Sequence, residues 1–264
     1  MNNSPIGIFD SGLGGLSILR GIREELPQED LLYYGDCLNA PYGDRSPEFI
    51  IERSIAITQF LLDKRAKAIV VACNTATAEA VNTLREKFNI PIIGVEPAVK
   101  PAAAATKTKT VGVIATTRTL TSQRYLKLVR DYAGENVKVV SVPCPGLMEC
   151  VERGDWNSFA TQSLIEKYLQ PIRRAGADQL VLGCTHYPFL MEALRRELGK
   201  DFSIIDPSPA VARELHHRLR EKALLADKGS GTETFYVSGN IEGPKTVIKR
   251  LWPKSKGCSF VQAD

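Results

Sequence analysis

Two short segments hold most of the reactive chemistry in this 264-residue chain: Ala72-Cys73-Asn74-Thr75 and Gly183-Cys184-Thr185-His186. Each follows an apolar run that reads as a strand and precedes a stretch with helical periodicity. Open α/β sheets bind ligands at the carboxyl ends of their strands, so both cysteines fall where a ligand is expected. A cysteine that opens a helix meets a partial positive charge, which favours thiolate over thiol. Asn74, Thr75, Thr185 and His186 add hydrogen-bonding groups beside the sulfurs, and with the helix amides they suit a carboxylate ligand. His186 stands two residues from Cys184, placed to tune its thiolate.

The other cysteines, Cys37, Cys144, Cys150 and Cys258, read as small buried hydrophobes, the common use of a free thiol. His216 and His217 are adjacent in a helical stretch, point in different directions and read as surface residues. Cys73, Cys184 and His186 could be imagined as zinc ligands, but they lack compact ligand spacing, so no metal is expected.

A third candidate is the loop Asp10-Ser11-Gly12-Leu13-Gly14-Gly15-Leu16, between a strand and a helix. It is not the dinucleotide fingerprint, because Ser17 stands where the last glycine belongs, and no Gly-Lys-Ser/Thr follows to make a phosphate loop. Its glycines read as a tight turn that frees amides near a ligand. Asp10 reads either as a helix cap or as a chemical group, and the loop alone does not choose. A second polar loop, Asn39-Ala40-Pro41-Tyr42-Gly43-Asp44, follows the next strand, with Asp36 at that strand's end. Its Pro and Gly also fit an ordinary turn.

Short apolar runs supply the strands that position these groups: residues 6–9, 31–34, 68–72, 91–95, 111–115, 137–142, 179–182 and 202–205. Amphipathic segments lie between them, such as 48–62, whose Phe49, Ile50, Ile55, Ile57, Phe60 and Leu61 form apolar faces. The alternation predicts an α/β fold with mainly parallel sheets covered on both faces.

The pattern also repeats. Residues 68–99 run strand, Cys73, helix to Arg85-Glu86, strand, then Pro97-Ala98-Val99. Residues 180–211 run strand, Cys184, helix to Arg196-Glu197, strand, then Pro209-Ala210-Val211. The opening strands Ile6-Gly7-Ile8-Phe9 and Val111-Gly112-Val113-Ile114 match as well. Two similar, pseudo-symmetric α/β domains follow. Boundaries are expected near Pro97 and Pro101 and at Asp206-Pro207-Ser208-Pro209. A loop at 227–233 precedes one more strand, 234–238, and sequence alone does not say which half this tail joins.

Composition narrows the function. Charged residues make up 24% and the net charge is +4, with lysines and arginines single or in pairs, which argues against a nucleic-acid partner. No stretch has the apolar length of a membrane span, and residues 1–5 lack the features of a secretory signal. The cysteines are too sparse for a disulfide scaffold, so reduced thiols in a cytoplasmic enzyme are expected.

Together these residues resemble the glutamate racemases of the aspartate/glutamate racemase superfamily. The resemblance rests on residues 7–15, Pro41-Tyr42-Gly43, 72–76, 112–116, Glu152 and Gly183-Cys184-Thr185-His186-Tyr187-Pro188, and runs from Pro5 to about Arg213. It implies two α/β domains, 1–97 with 208–264 and 98–207, with the active site between them. It implies Cys73 and Cys184 as catalytic residues, one serving D-glutamate and the other L-glutamate. Asp10, His186 and Glu152 would support catalysis. Asp10, Ser11, Tyr42, Gly43, Asn74, Thr75, Thr185 and His186 would bind substrate. Neither pyridoxal phosphate nor metal is implied, and the product serves the bacterial cell wall. A homodimer is expected.

The chemistry suits the repeat. Inverting a stereocentre by proton transfer needs a base on one face and an acid on the other. A thiol with a pKa near ~8.5 takes either role after a modest shift. The α-proton is a very weak acid, so amides and hydroxyls must stabilise the charge that develops as it leaves. Three rivals stay open: a racemase of another acidic amino acid such as aspartate, a cysteine amidase using His186 as base, and a hinged protein that binds a small anion.

Overall fold

The computed structural model describes residues 3–227, 231–252 and 258–263. Its elements begin β1 (Ile6–Asp10), α1 (Leu16–Glu25), β2 (Leu31–Gly35), α2 (Pro47–Asp63), β3 (Ala68–Val71), α3 (Asn74–Lys87) and β4 (Ile92–Gly94). They continue α4 (Val99–Ala105), β5 (Thr110–Ala115), α5 (Thr117–Thr121), α6 (Gln123–Tyr132), β6 (Lys138–Pro143), α7 (Leu147–Glu152) and α8 (Phe159–Arg174). The last are β7 (Gln179–Gly183), α9 (Met191–Leu198), β8 (Ser203–Ile205), α10 (Ser208–Glu221), β9 (Glu233–Ser238), α11 (Glu242–Leu251) and β10 (Ser259–Ala263). Each apolar run identified in the sequence is a strand; β10 had no counterpart in that reading.

The chain divides into two compact units, one of residues 1–95 and 208–264, the other of residues 96–207. The sheet of the first runs β10-β9-β2-β1-β3-β4, and that of the second β6-β5-β7-β8. Every described pairing is parallel. With β1 set against β5, β2 against β6, β3 against β7 and β4 against β8, the two orders coincide. The first sheet then continues through β9 and β10, while the second stops at β6.

The register repeats too. Phe9 is level with Val71, and Ile114 with Leu182. Carried past the strand ends, the same register sets Ser11 level with Cys73 and Thr116 with Cys184. The repeated sequence is a repeated structure, and the two thiols occupy the same place in it.

The reason lies in the central strands. β1, β2, β3, β5 and β7 are buried along their whole length, as parallel strands covered on both faces must be. The edge strand β6 is largely exposed or half-buried. Gly7 and Gly112 let the crossover helices lie close against the central strands. A Cβ at Gly7 would stand 2.8 Å from Ile69 Cδ1 and 3.1 Å from Leu61 Cβ on α2. At Gly112 it would stand 2.4 Å from Ile172 Cγ2 on α8. Matching glycines thus fix matching helix positions in the two units.

Candidate active site

In the first unit the carboxyl edge of the sheet gathers the candidate groups. Cys73 follows β3 after Ala72 and caps α3, its Sγ accepting the Ala76 amide at 3.4 Å. The Ser11 hydroxyl lies 3.6 Å from the same sulfur. Asn74 and Thr75 open α3 and are buried. Neither polar atom of the Asn74 carboxamide has a hydrogen-bond partner among the described residues. A buried amide with unmet donors and an unmet acceptor suits a polar ligand, because leaving such atoms unpaired is costly.

Asp10 ends β1 and is fully buried. The N-cap position of α1 is Gly15 rather than Asp10, and Asp10 Oδ2 accepts the Gly12 amide at 3.1 Å. The glycines do not need positive φ, as a tight turn would; none in this loop has it among the described residues. What Gly15 needs is space. A Cβ there would stand 2.7 Å from Asp10 Cβ and 3.0 Å from Ala72 Cβ. The glycine lets α1 begin against the very residues that flank the site.

Tyr42 is buried in a 3-10 turn, Tyr42–Asp44, and donates its hydroxyl to Asp36 Oδ2 at 2.6 Å. Burial, reinforced by that carboxylate, holds the phenol pKa far above its ordinary value, so it stays a donor. Asp36 is more than a turn residue. Burial pushes its pKa up, but hydrogen bonds from Arg53, Tyr42 and Asn39 outweigh burial and hold it below the usual carboxylate value. Arg53 binds both carboxylate oxygens, Nη2 to Oδ1 at 2.7 Å and Nε to Oδ2 at 3.0 Å. This network holds Tyr42, the residue before Gly43.

In the second unit, Cys184 directly follows β7 and is buried. Its Sγ lies 3.5 Å from His186 Nδ1, and His186 Nε2 lies 2.6 Å from Glu152 Oε1 at the end of α7. The imidazole is buried, which opposes its charge. The Cys184 sulfur and the Glu152 carboxylate outweigh burial and raise its pKa well above the ordinary value. Thr185 is buried beside them. One expectation needs correction: Cys184 does not open an α-helix. A 3-10 turn, Tyr187–Leu190, comes next, and α9 begins only at Met191. In place of a helix cap, the turn gives Cys184 an imidazole.

The equivalent position to Asp10 in the second unit is Ala115, and the one to Asp36 is Cys144. Both follow from register, and the Asp36 and Cys144 amides each donate to that central-strand residue at 3.0 Å. Asp10 on β1 therefore has no acidic counterpart on β5; the second thiol has His186 and Glu152. His216 and His217 are partly exposed and pair with Glu25 and Glu221, as surface residues. Among the described residues no three His, Cys, Asp or Glu side chains form a metal-binding group. Sequence reasoning missed the weight of Asp36, along with Arg53 and Ser238, which bind it. The only local signal was an aspartate directly beyond the strand end at Gly35.

Two thiols stand at equivalent strand ends, Cys73 beside the Ser11 hydroxyl and Cys184 beside an imidazole. The chain belongs to the Asp/Glu/Hydantoin racemase family, whose model matches residues 6–215. It is thus an isomerase, an amino-acid racemase. The glutamate racemase of Stutzerimonas stutzeri is 48% identical over 258 residues, covering 97% of each chain. The crystal structure of a glutamate racemase isoform from Bacillus anthracis is 34% identical, with a TM-score of 0.91 over 100% of this chain and 98% of that one. Glutamate racemase from Francisella tularensis, solved in complex with D-glutamate, is 32% identical, with a TM-score of 0.85 over 100% and 97% of the two chains.

Proposed function

We propose that Cys73 and Cys184 are the two proton carriers of this racemase and serve opposite faces of the α-carbon of glutamate. The carrying observation is that the two thiols occupy equivalent positions in equivalent units, each beside polar or titratable groups. The chain interconverts L- and D-glutamate, in keeping with relatives named for that reaction.

In the L-to-D direction, Cys184 as thiolate takes the α-proton. The electron pair of the broken C–H bond passes toward the α-carboxylate, and the Cys73 thiol returns a proton to the other face. The reverse direction exchanges the roles. His186, held by Glu152, faces the Cys184 sulfur with a proton available; Asp10 assists Cys73. Asp10, Ser11, Tyr42, Gly43, Asn74, Thr75, Thr185 and His186 hold the substrate, and their amides and hydroxyls stabilise the charge that develops.

The reading takes the domains as 1–97 with 208–264 and 98–207, within two residues of the compact units. Two thiols and these donors supply what the reaction requires, so the reading includes no pyridoxal phosphate and no metal. The product feeds peptidoglycan synthesis. A cytoplasmic location fits the six free cysteines, and no described helix is long and apolar enough to cross a membrane. We take the active form to be a homodimer, which light scattering would test.

The decisive experiment follows deuterium. L-glutamate is incubated in deuterated water and sampled early. Newly formed D-glutamate should carry deuterium at Cα while the remaining L-glutamate stays protonated; D-glutamate should give the mirror result. Substantial protium in the first product in both directions would show one base serving both faces. Running aspartate in parallel fixes substrate length.

A further inference from the structure

We propose that Ser238, at the end of β9 in the C-terminal segment, is a positioning residue for the substrate-binding turn at Tyr42 and Gly43. The inference rests on the reading above that this turn holds glutamate.

Gly35 is level with Val237 across β2 and β9, and Asp10 with Gly35 across β1 and β2. One residue further, Ser238, Asp36, Ser11 and Cys73 form a single row across the carboxyl edge of the sheet. Three members of that row already belong to the site or to its support. The fourth comes from a strand 202 residues beyond Asp36 in sequence.

Ser238 is buried and makes two contacts. Its hydroxyl donates to Asp36 Oδ1 at 2.8 Å and accepts the Leu38 amide at 3.0 Å. It therefore ties the Asp36 carboxylate to the backbone of the turn at Cys37–Asn39. Asp36 Oδ2 in turn accepts Tyr42, and Oδ1 accepts Asn39 Nδ2 at 3.0 Å. The approach is close as well. Gly239 has φ of +74°, and a Cβ there would stand 3.2 Å from Leu38 Cβ. Glycine permits both the backbone conformation and the contact that brings Ser238 onto the turn.

The second unit shows what the added strand supplies. Its sheet ends at β6, so among the described residues the row Cys184, Thr116, Cys144 has no member beyond Cys144. Asp36 needs one because it is a buried carboxylate that must hold Tyr42 in one orientation. Arg53, Asn39 and Tyr42 reach the carboxylate from α2 and the turn; Ser238 adds a donor from β9. The C-terminal segment thus takes part in substrate binding without touching substrate.

The test measures KM and kcat in both directions for Ser238→Ala, Ser238→Thr and Asp36→Asn, each below its own unfolding midpoint. The two enantiomers have equal free energy, so kcat/KM must fall equally in both directions. Ser238→Ala should raise KM about three- to tenfold, less than the more than tenfold effect of losing a direct hydrogen bond to a charged group because the hydroxyl acts through Asp36, with kcat within about twofold of the parent. Ser238→Thr, which keeps the hydroxyl, should restore KM. Unchanged KM in Ser238→Ala with raised KM in Asp36→Asn overturns the role of Ser238 and leaves the turn as a substrate contact. Unchanged KM in both overturns the role of Ser238 together with the reading of the turn. A raised KM that threonine does not restore overturns the hydroxyl as the cause.

Discussion

Replacing Glu152 with glutamine tests the electrostatics at Cys184 most directly. The substitution keeps the shape of the side chain but removes the charge that accepts from His186 Nε2 at 2.6 Å. The imidazole side chain is 2% exposed and the carboxylate 20%, so solvent screens the pair little. A hydrogen bond to a charged group contributes about 1.5–3 kcal/mol, and one pKa unit corresponds to about 1.4 kcal/mol. The His186 pKa should therefore fall from its raised value. The sign extends to stability. A histidine whose folded pKa is raised contributes stability that is complete below its unfolded pKa and is lost as pH rises through the folded value. The variant should accordingly be less stable than the parent in mild acid, with the gap narrowing as pH rises through the parent's folded value. Heteronuclear NMR titration can follow the ring, since the chain has only three histidines and single replacements assign them. In parallel, the alkaline limb of kcat/KM should move to lower pH by the same amount in both directions. A His186 titration in Glu152→Gln that coincides with the parent would refute the claim that Glu152 holds the proton on the ring.

Cys73→Ser and Cys184→Ser should each abolish racemisation, because a hydroxyl is a far poorer proton acceptor at neutral pH; near-normal turnover of either, measured by chiral chromatography, would show the wrong residue had been assigned. Gly112→Ala should lower stability by about 1–3 kcal/mol in urea unfolding, as overpacking does, since its Cβ would stand 2.4 Å from Ile172 Cγ2. Asp36, with its pKa held low, contributes stability that is complete above its unfolded pKa and lost as pH falls through the folded value. Asp36→Asn should therefore flatten the acid side of the stability profile, and a slope equal to that of the parent would refute it.

The strands, the helices between them and the repeated Cys73 and Cys184 units were legible because each is encoded locally. A buried parallel strand is a short apolar run, an amphipathic helix has its own period, and turns need Pro or Gly; each signal fits within a window of ten or twenty residues. The glycine of the first loop was legible as a glycine but not for its reason. Gly15 is set by Asp10 and Ala72, the latter 57 positions away, and no local pattern encodes an approach of that kind. The strand β10 escaped for the opposite cause: it is an edge strand held by β9, with no buried run to announce it. The different settings of the two thiols were likewise decided in three dimensions. Similar residues follow each cysteine, yet Cys73 caps α3 while Cys184 enters a 3-10 turn that brings His186 back to its sulfur and onto Glu152 from another helix. Asp36 shows the division most clearly. Its sequence neighbours suggest a turn, and its function comes from Arg53 on α2 and Ser238 on β9, 17 and 202 residues away. Sequence fixes the residue types and the local conformation. Only parallel pairing, which sets strands distant in sequence side by side in register, could bring those partners to one carboxylate.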